Sequence, residues 1–184
     1  MPRDVPPPPA EFRPAIRDYT LLRVIGAGSY GHVWLARSAT GTFRAIKVVR
    51  RDEANEGRDF ARAFKGLQHY EPVSRQDDSL MDVLHVGIVE AEGYFYCVME
   101  LADPAPPEEG GSFGAADSPV AEIRPRADAL WDPLDPVEID PDRYEPLTLR
   151  LIQRRQPRLP AAECVGIGIA LCRALGALHG HGLV

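Results

Sequence analysis

A six-residue stretch near the start of the chain has the composition of a phosphate-binding loop. It consists of Gly26, Ala27, Gly28, Ser29, Tyr30 and Gly31. The glycine spacing matches the pattern G-x-G-x-x-G, and glycines at these places let backbone N–H groups approach the oxygens of a polyphosphate. Dinucleotide-binding folds share the pattern, and a plain glycine-rich hairpin turn would also produce it. The elements on either side must decide between these alternatives.

A lysine within an apolar run is the second candidate. Lys47 lies sixteen residues after Gly31, and its neighbours are Ala45, Ile46, Val48 and Val49. A lysine that points inward from a strand needs a charged partner, because burying an unpaired ammonium group is costly. Nucleotide phosphates would supply that partner, and strand alternation places the small Ala45 on the same face, with room for a flat ring. An isolated lysine would more simply face solvent, but its spacing from the glycine stretch favours a phosphate contact.

The elements that carry these residues are predicted to be strands and one helix. Five strands are predicted for residues 19–25, 32–37, 43–49, 81–89 and 94–101, and a helix for residues 59–69. The strand ranges are rich in β-branched and aromatic residues, and the helix range has apolar residues at helical spacing. A dinucleotide-dependent oxidoreductase needs a helix after Gly31, whereas residues 32–37 continue as a strand. The glycines are therefore predicted to lie at the bend of a β-hairpin.

Proline and charge are unevenly distributed. Six of the 18 prolines lie in the first 14 residues and eleven lie between Pro104 and Pro160. From Asp103 to Glu145 there are 12 Asp or Glu and 3 Arg, a net charge of −9, so the overall charge of −6 belongs to this segment. This balance argues against a nucleic-acid binder that relies on global basicity. The sequence predicts four segments: a disordered proline-rich tail (residues 1–14), a β-rich lobe (15–102), an acidic proline-rich insertion (103–146) and helices (147–184).

Three stretches together resemble a known family. Residues 25–33, 45–47 and 98–102 look like the glycine-rich loop, the phosphate-binding lysine and the adenine hinge of the protein kinase small lobe. The sequence is most similar to bacterial eukaryotic-type serine/threonine protein kinases, well over residues 18–103 and moderately over 147–184. The resemblance implies an α+β, protein-kinase-like fold: a five-stranded antiparallel small-lobe sheet with one helix, followed by a partial helical large lobe.

The resemblance also implies a set of ATP-binding residues. Ile25 and Val33 would enclose the adenine, and Ala45 and Met99 would border its pocket. The backbone of Glu100 and Ala102 would bond the adenine edge. Lys47 would hold the α- and β-phosphates beneath the glycine-rich loop.

One departure from the family pattern concerns the helix. In the family, a glutamate on the helix after the lysine strand pairs with that lysine, and alignment puts Ala63 in its place. The salt bridge is therefore expected to be absent. Asp59 and Glu56 lie one and two turns earlier and could replace it if the helix shifts, although both are also explained as N-terminal charges that the helix dipole favours. A misaligned register is a further alternative.

The second departure is at the end of the sequence. Residues 178–184 resemble the end of the long large-lobe helix, and no catalytic Asp, magnesium-binding Asn or Asp-Phe-Gly motif follows. The resemblance thus implies a truncated serine/threonine kinase that binds ATP but scarcely transfers phosphate, with magnesium expected in a complete member. No catalytic or metal-binding residue is assigned, and the protein substrate stays open. The alternative is a non-catalytic nucleotide-binding pseudokinase or scaffold module.

The expected location is the cytoplasm. No run approaches the roughly 18 apolar residues of a membrane span, and the first residues lack the apolar core of a signal peptide. Three cysteines, Cys97, Cys164 and Cys172, cannot all pair, which fits a reducing compartment. We therefore expect no membrane segment in this chain and no nucleic-acid partner.

Overall fold

A computed structural model of the chain describes residues 12–28, 31–51, 58–106 and 139–183. They belong to two compact units. The first consists of Met1–Arg75 and Met81–Leu101, and the second of Gln76–Leu80 and Ala102–Val184. Most of the predicted tail and of the acidic insertion, together with Ser29, Tyr30 and Glu56, lies outside the described residues.

The first unit is built on a five-stranded antiparallel sheet with the strand order β1-β2-β3-β5-β4. The strands are β1 (Tyr19–Gly28), β2 (Gly31–Ser38), β3 (Phe43–Arg50), β4 (Val83–Val89) and β5 (Tyr94–Met99), and helix α1 (Arg58–Ser74) connects β3 to β4. The predicted α+β class and five-stranded antiparallel sheet are confirmed. Residues 32–37 lie in strand β2. A dinucleotide-binding fold requires a helix after Gly31, so this strand argues against that fold.

Helix α1 covers one face of the sheet, called here the helix face. Phe60 and Phe64 of α1 both pack on Phe95, with ring centroids 4.9 and 5.4 Å away. Phe95 is fully buried and forms one cluster with Val49 and Phe60. The Phe60–Phe95 pair is edge-on, and pairs of this geometry add to the free energy gained by burying the rings. The apolar side of the helix, predicted from the spacing of its residues, therefore packs on the sheet.

The opposite face, called here the outer face, is closed by the residues that precede β1. Ile16 is buried in a cluster with residues of β2, β3 and β5, and Phe12 packs edge-on against Tyr94 with centroids 5.7 Å apart. The Tyr94 hydroxyl donates to the carbonyl of Ala15 (O···O 2.8 Å), and the Arg50 guanidinium lies 4.3 Å from the Phe12 ring centroid. The sequence predicts a disordered tail up to residue 14. In the structure, Phe12 instead packs its ring on the outer face.

The second unit contains two helices, α2 (Leu149–Arg155) and α3 (Ala161–Gly180). The Thr148 hydroxyl caps α2 by accepting from the N–H of Leu151 (3.1 Å). Helix α3 has no buried residue, and Val165 and Leu171 are 61% and 56% exposed. By length and composition it could cross a membrane, which differs from the sequence-based statement that no run approaches such a span. The core helix of a soluble protein can have the same length and composition, so these two features fit both a membrane span and a core helix.

The two ends of the predicted acidic insertion meet in the second unit. Pro104 and Pro146 form an antiparallel bridge, the Ala105 N–H donates to the Glu145 carbonyl, and the Leu147 N–H donates to the Asp103 carbonyl. The Tyr144 hydroxyl donates to the carbonyl of Ala102 over 2.8 Å, and Tyr144 itself is buried. Residues 103–105 and 145–147, which flank the undescribed part of the insertion, therefore lie side by side.

Candidate nucleotide-binding site

The glycine-rich stretch closes the β1–β2 hairpin. Gly28 pairs with Gly31, and Gly26 pairs with Val33. Gly31 has φ +115°, and a Cβ on it would overlap the carbonyl oxygen of Val48 on β3, so only glycine fits there. A Cβ on Gly28 would meet no described atom within 4 Å beyond its chain neighbours. The loop therefore combines one glycine required by the sheet with another that leaves access to the backbone.

Four predicted adenine contacts come together in one apolar cluster. Ala45 and Met99 are buried in it as a cross-strand pair of β3 and β5, and Ile25 and Val33 pack against it from β1 and β2. Leu101 packs on the same cluster. The sequence prediction missed Leu101, although the alternation Cys97, Met99, Leu101 places it on the helix face.

Lys47 lies between this cluster and the hairpin. It pairs with Val33 on β2 and with Cys97 on β5, and its side chain is half-buried. Burial raises the pKa of the Cys97 thiol to about 11, while the Lys47 charge and its backbone N–H act in the opposite direction. Among the residues that the structure describes, no carboxylate forms an ion pair with Lys47. A half-buried ammonium group that pairs with no described carboxylate is suited to bind a phosphate.

Helix α1 presents an apolar side to the lysine strand. Ala63 packs against the cluster of Val49, Phe60 and Phe95. Asp59 lies in the first turn of α1 and is exposed, and Glu71 pairs with Arg75 across 3.1 Å. Glu56 lies outside the described residues. Within residues 58–74, therefore, no carboxylate of α1 pairs with Lys47.

The two predicted hinge residues are held by different partners. Glu100 follows β5 in the first unit, and its backbone N–H donates to the Asp82 carbonyl over 3.1 Å. Ala102 belongs to the second unit, where its carbonyl accepts from Tyr144.

A half-buried lysine that forms no ion pair with a described carboxylate lies beside an apolar cluster, and such a pair of features can accept an anionic group joined to a flat apolar ring. Over residues 12–28, 31–51, 58–106 and 139–183, no group of three His, Cys, Asp or Glu side chains could hold a metal ion.

Comparison with known proteins gives one short similarity. A stretch of 41 residues, 22% of this chain, is 49% identical to the serine/threonine-protein kinase RIM15 of Saccharomyces cerevisiae. The stretch spans only 2% of the yeast protein. No protein-family model matches the chain. The similarity and the five-stranded antiparallel sheet are compatible with a kinase-like small lobe and support a kinase-related function at most.

Proposed function

We propose that the first unit binds ATP as the small lobe of a serine/threonine protein kinase domain. The observation that carries the proposal is the position of Lys47: half-buried, beside the glycine hairpin, adjacent to an apolar cluster and without an ion pair to any described carboxylate. A lysine in this environment gains most from a ligand that joins an anionic group to a flat apolar ring. ATP has both features.

Each residue of the site has a distinct role in this proposal. Ile25 and Val33 enclose the adenine from the hairpin, and Ala45 and Met99 form the floor of its pocket. The Lys47 ammonium group donates to the α- and β-phosphates, and the backbone N–H groups of the glycine loop approach the remaining phosphate oxygens. Magnesium, when bound to the nucleotide, neutralises phosphate charge. The first unit binds and orients, whereas transfer of the γ-phosphate to a protein hydroxyl needs a carboxylate that we do not assign in this chain.

Replacing Lys47 tests the ATP-binding proposal. A charge-assisted contact contributes about 1.5–3 kcal/mol, so Lys47→Ala should weaken ATP binding about ten- to a hundredfold. The matched control is Lys65→Ala, which removes an equal charge from an exposed position on α1. In a thermal-shift titration, ATP at about a hundred times its Kd should stabilise wild type and the control by about 2.7 kcal/mol. Equal shifts in all three proteins, or no shift in wild type, would contradict the proposal.

Ala63 favours a second candidate, a non-catalytic nucleotide-binding pseudokinase or scaffold module. In protein kinases, a glutamate of this helix pairs with the strand lysine in the active arrangement. Ala63 stands at that place in α1, so the pair with Lys47 is missing there. Phosphate transfer from ATP to a generic protein substrate separates the two candidates when measured on the full reading frame. Binding without transfer supports the scaffold, and transfer that Lys47→Ala abolishes supports the kinase.

A further inference from the structure

Helix α3 leaves one apolar side exposed between residues 161 and 175. None of its residues is buried. Six exposed apolar residues lie within about 60° of Gly168 around the helix axis: Ala161, Cys164, Val165, Leu171, Cys172 and Leu175. The two charged residues of α3, Glu163 and Arg173, lie on the opposite side. These six residues and Gly168 therefore form a continuous uncharged surface, called here the exposed face.

The exposed face is self-complementary about Gly168. In a two-fold symmetric, antiparallel pair of helices that cross at this glycine, residues equally far before and after it lie level with each other. Cys164 of one helix is then level with Cys172 of the other, and Val165 is level with Leu171. Glycine at the crossing point lets the two backbones approach closely, because it has no side chain.

The charges of α3 favour this antiparallel pairing. It places Arg173 of one copy level with Glu163 of the other, whereas a parallel pair would place two Arg173 guanidinium groups level with each other. Arg173 also lies seven positions before the end of α3, and an arginine inside a hydrocarbon core is costly. Its position therefore disfavours the membrane span that the length and composition of α3 would allow.

We propose that the exposed face is the contact surface of a homodimer, in which α3 pairs antiparallel with α3 of a second copy and crosses it at Gly168. Burial of apolar side chains that water now surrounds drives the association. The inference goes beyond ATP binding and depends on no part of it. Within one chain, Cys164 and Cys172 are about 12 Å apart along the helix, too far for a disulfide bond. Across the dimer they are level, so a disulfide between them identifies the arrangement.

Oxidation of the full chain with copper phenanthroline in air tests this arrangement. Wild type should give a covalent dimer that joins Cys164 of one copy to Cys172 of the other. Cys164→Ser and Cys172→Ser should each give none, because identical cysteines are about 12 Å apart along the paired helices. An equimolar mixture of the two variants should restore the covalent dimer. Cys97 is buried and stays in every variant. A wild-type yield from either variant alone, or no covalent dimer from wild type, would overturn the inference.

A second test uses two glycines on opposite sides of α3. A Cβ on Gly168 or Gly166 would meet no described atom within 4 Å beyond the backbone of its own helix, so leucine should fit both positions in the monomer. Gly168→Leu should weaken dimerisation about five- to a hundredfold, because its side chain separates the crossing helices. Gly166→Leu is the matched control and should leave the dimer unchanged. Sedimentation equilibrium measures both effects. Equal dimerisation of the two variants, or a wild type that stays monomeric or binds phospholipid vesicles as a monomer, would refute the proposed dimer.

Discussion

Gly31 and Gly28 face each other across the β1–β2 hairpin, yet substitution with alanine should affect them differently. At Gly31, φ is +115° and an added Cβ would overlap the carbonyl oxygen of Val48. At Gly28, an added Cβ would meet no described atom within 4 Å beyond its chain neighbours, and φ is not positive. Gly31→Ala should therefore destabilise the first unit, whereas Gly28→Ala should leave its stability nearly unchanged.

The magnitude for Gly31→Ala has two parts. A non-glycine residue held at such a φ costs about 1–3 kcal/mol. The overlap with Val48 also forces β2 away from β3 next to the His32–Val48 pair, and each ladder hydrogen bond lost there costs about 0.5–1.5 kcal/mol. The sum, about 2–4 kcal/mol, is a large fraction of a typical domain stability of about 5–15 kcal/mol.

Urea denaturation followed by tryptophan fluorescence measures this difference, because Trp34 is buried on β2. Gly31→Ala should lower the unfolding midpoint clearly, with Gly28→Ala within about 0.5 kcal/mol of wild type. At Gly28 the added methyl group enters the space beside the loop backbone, so ATP affinity should fall there without loss of stability. Equal stability of the two variants would refute the reasoning from φ and overlap.

Two other predictions concern charge and chain connectivity. The raised pKa of Cys97 keeps the folded thiol protonated while the unfolded thiol ionises from its ordinary value of 9.0, so stability should be full below pH 9 and fall as pH approaches 11. The loss should be on the order of 2 kcal/mol in urea titrations and absent in Cys97→Ala. Replacing residues 107–138 with about ten Gly and Ser residues should preserve the melting of both units, because the flanking residues already pair. The replacement also removes net negative charge, so ATP should bind more tightly at low salt and equally at high salt; equal affinity at both would contradict this expectation.

The sheet was predictable because its strands have local signatures. Residues 43–49 and 94–101 combine β-branched and aromatic residues with short turns, and both become central strands. The packing of Phe12 on Tyr94 was not predictable, since a single aromatic residue among prolines has no periodicity. Its role depends on a partner 82 positions later in the chain.

The site was predictable where chemistry is concentrated in one residue type. Glycines and Lys47 identified the hairpin and the charged position, but the sequence pattern gave Gly28 and Gly31 the same role. Only the register that brings Val48 beside Gly31 separates a glycine needed by the sheet from one that leaves open space. The hydrogen bond of Tyr70 to Met81 had no sequence signal, because its acceptor is a backbone carbonyl and every residue carries one.

The bond from Tyr94 to Ala15 spans 79 positions and has a consequence for the order of folding. Ala15 emerges early in synthesis, but its partner strand β5 is added much later, after helix α1 and β4, and β5 also pairs with β3. Contacts between residues so far apart in sequence slow folding, because loop closure must precede the contacts that compensate for it. Until β5 is in place, Phe12 and Ile16 lack their partner Tyr94, so the outer face should be the last surface of the first unit to become protected from hydrogen exchange.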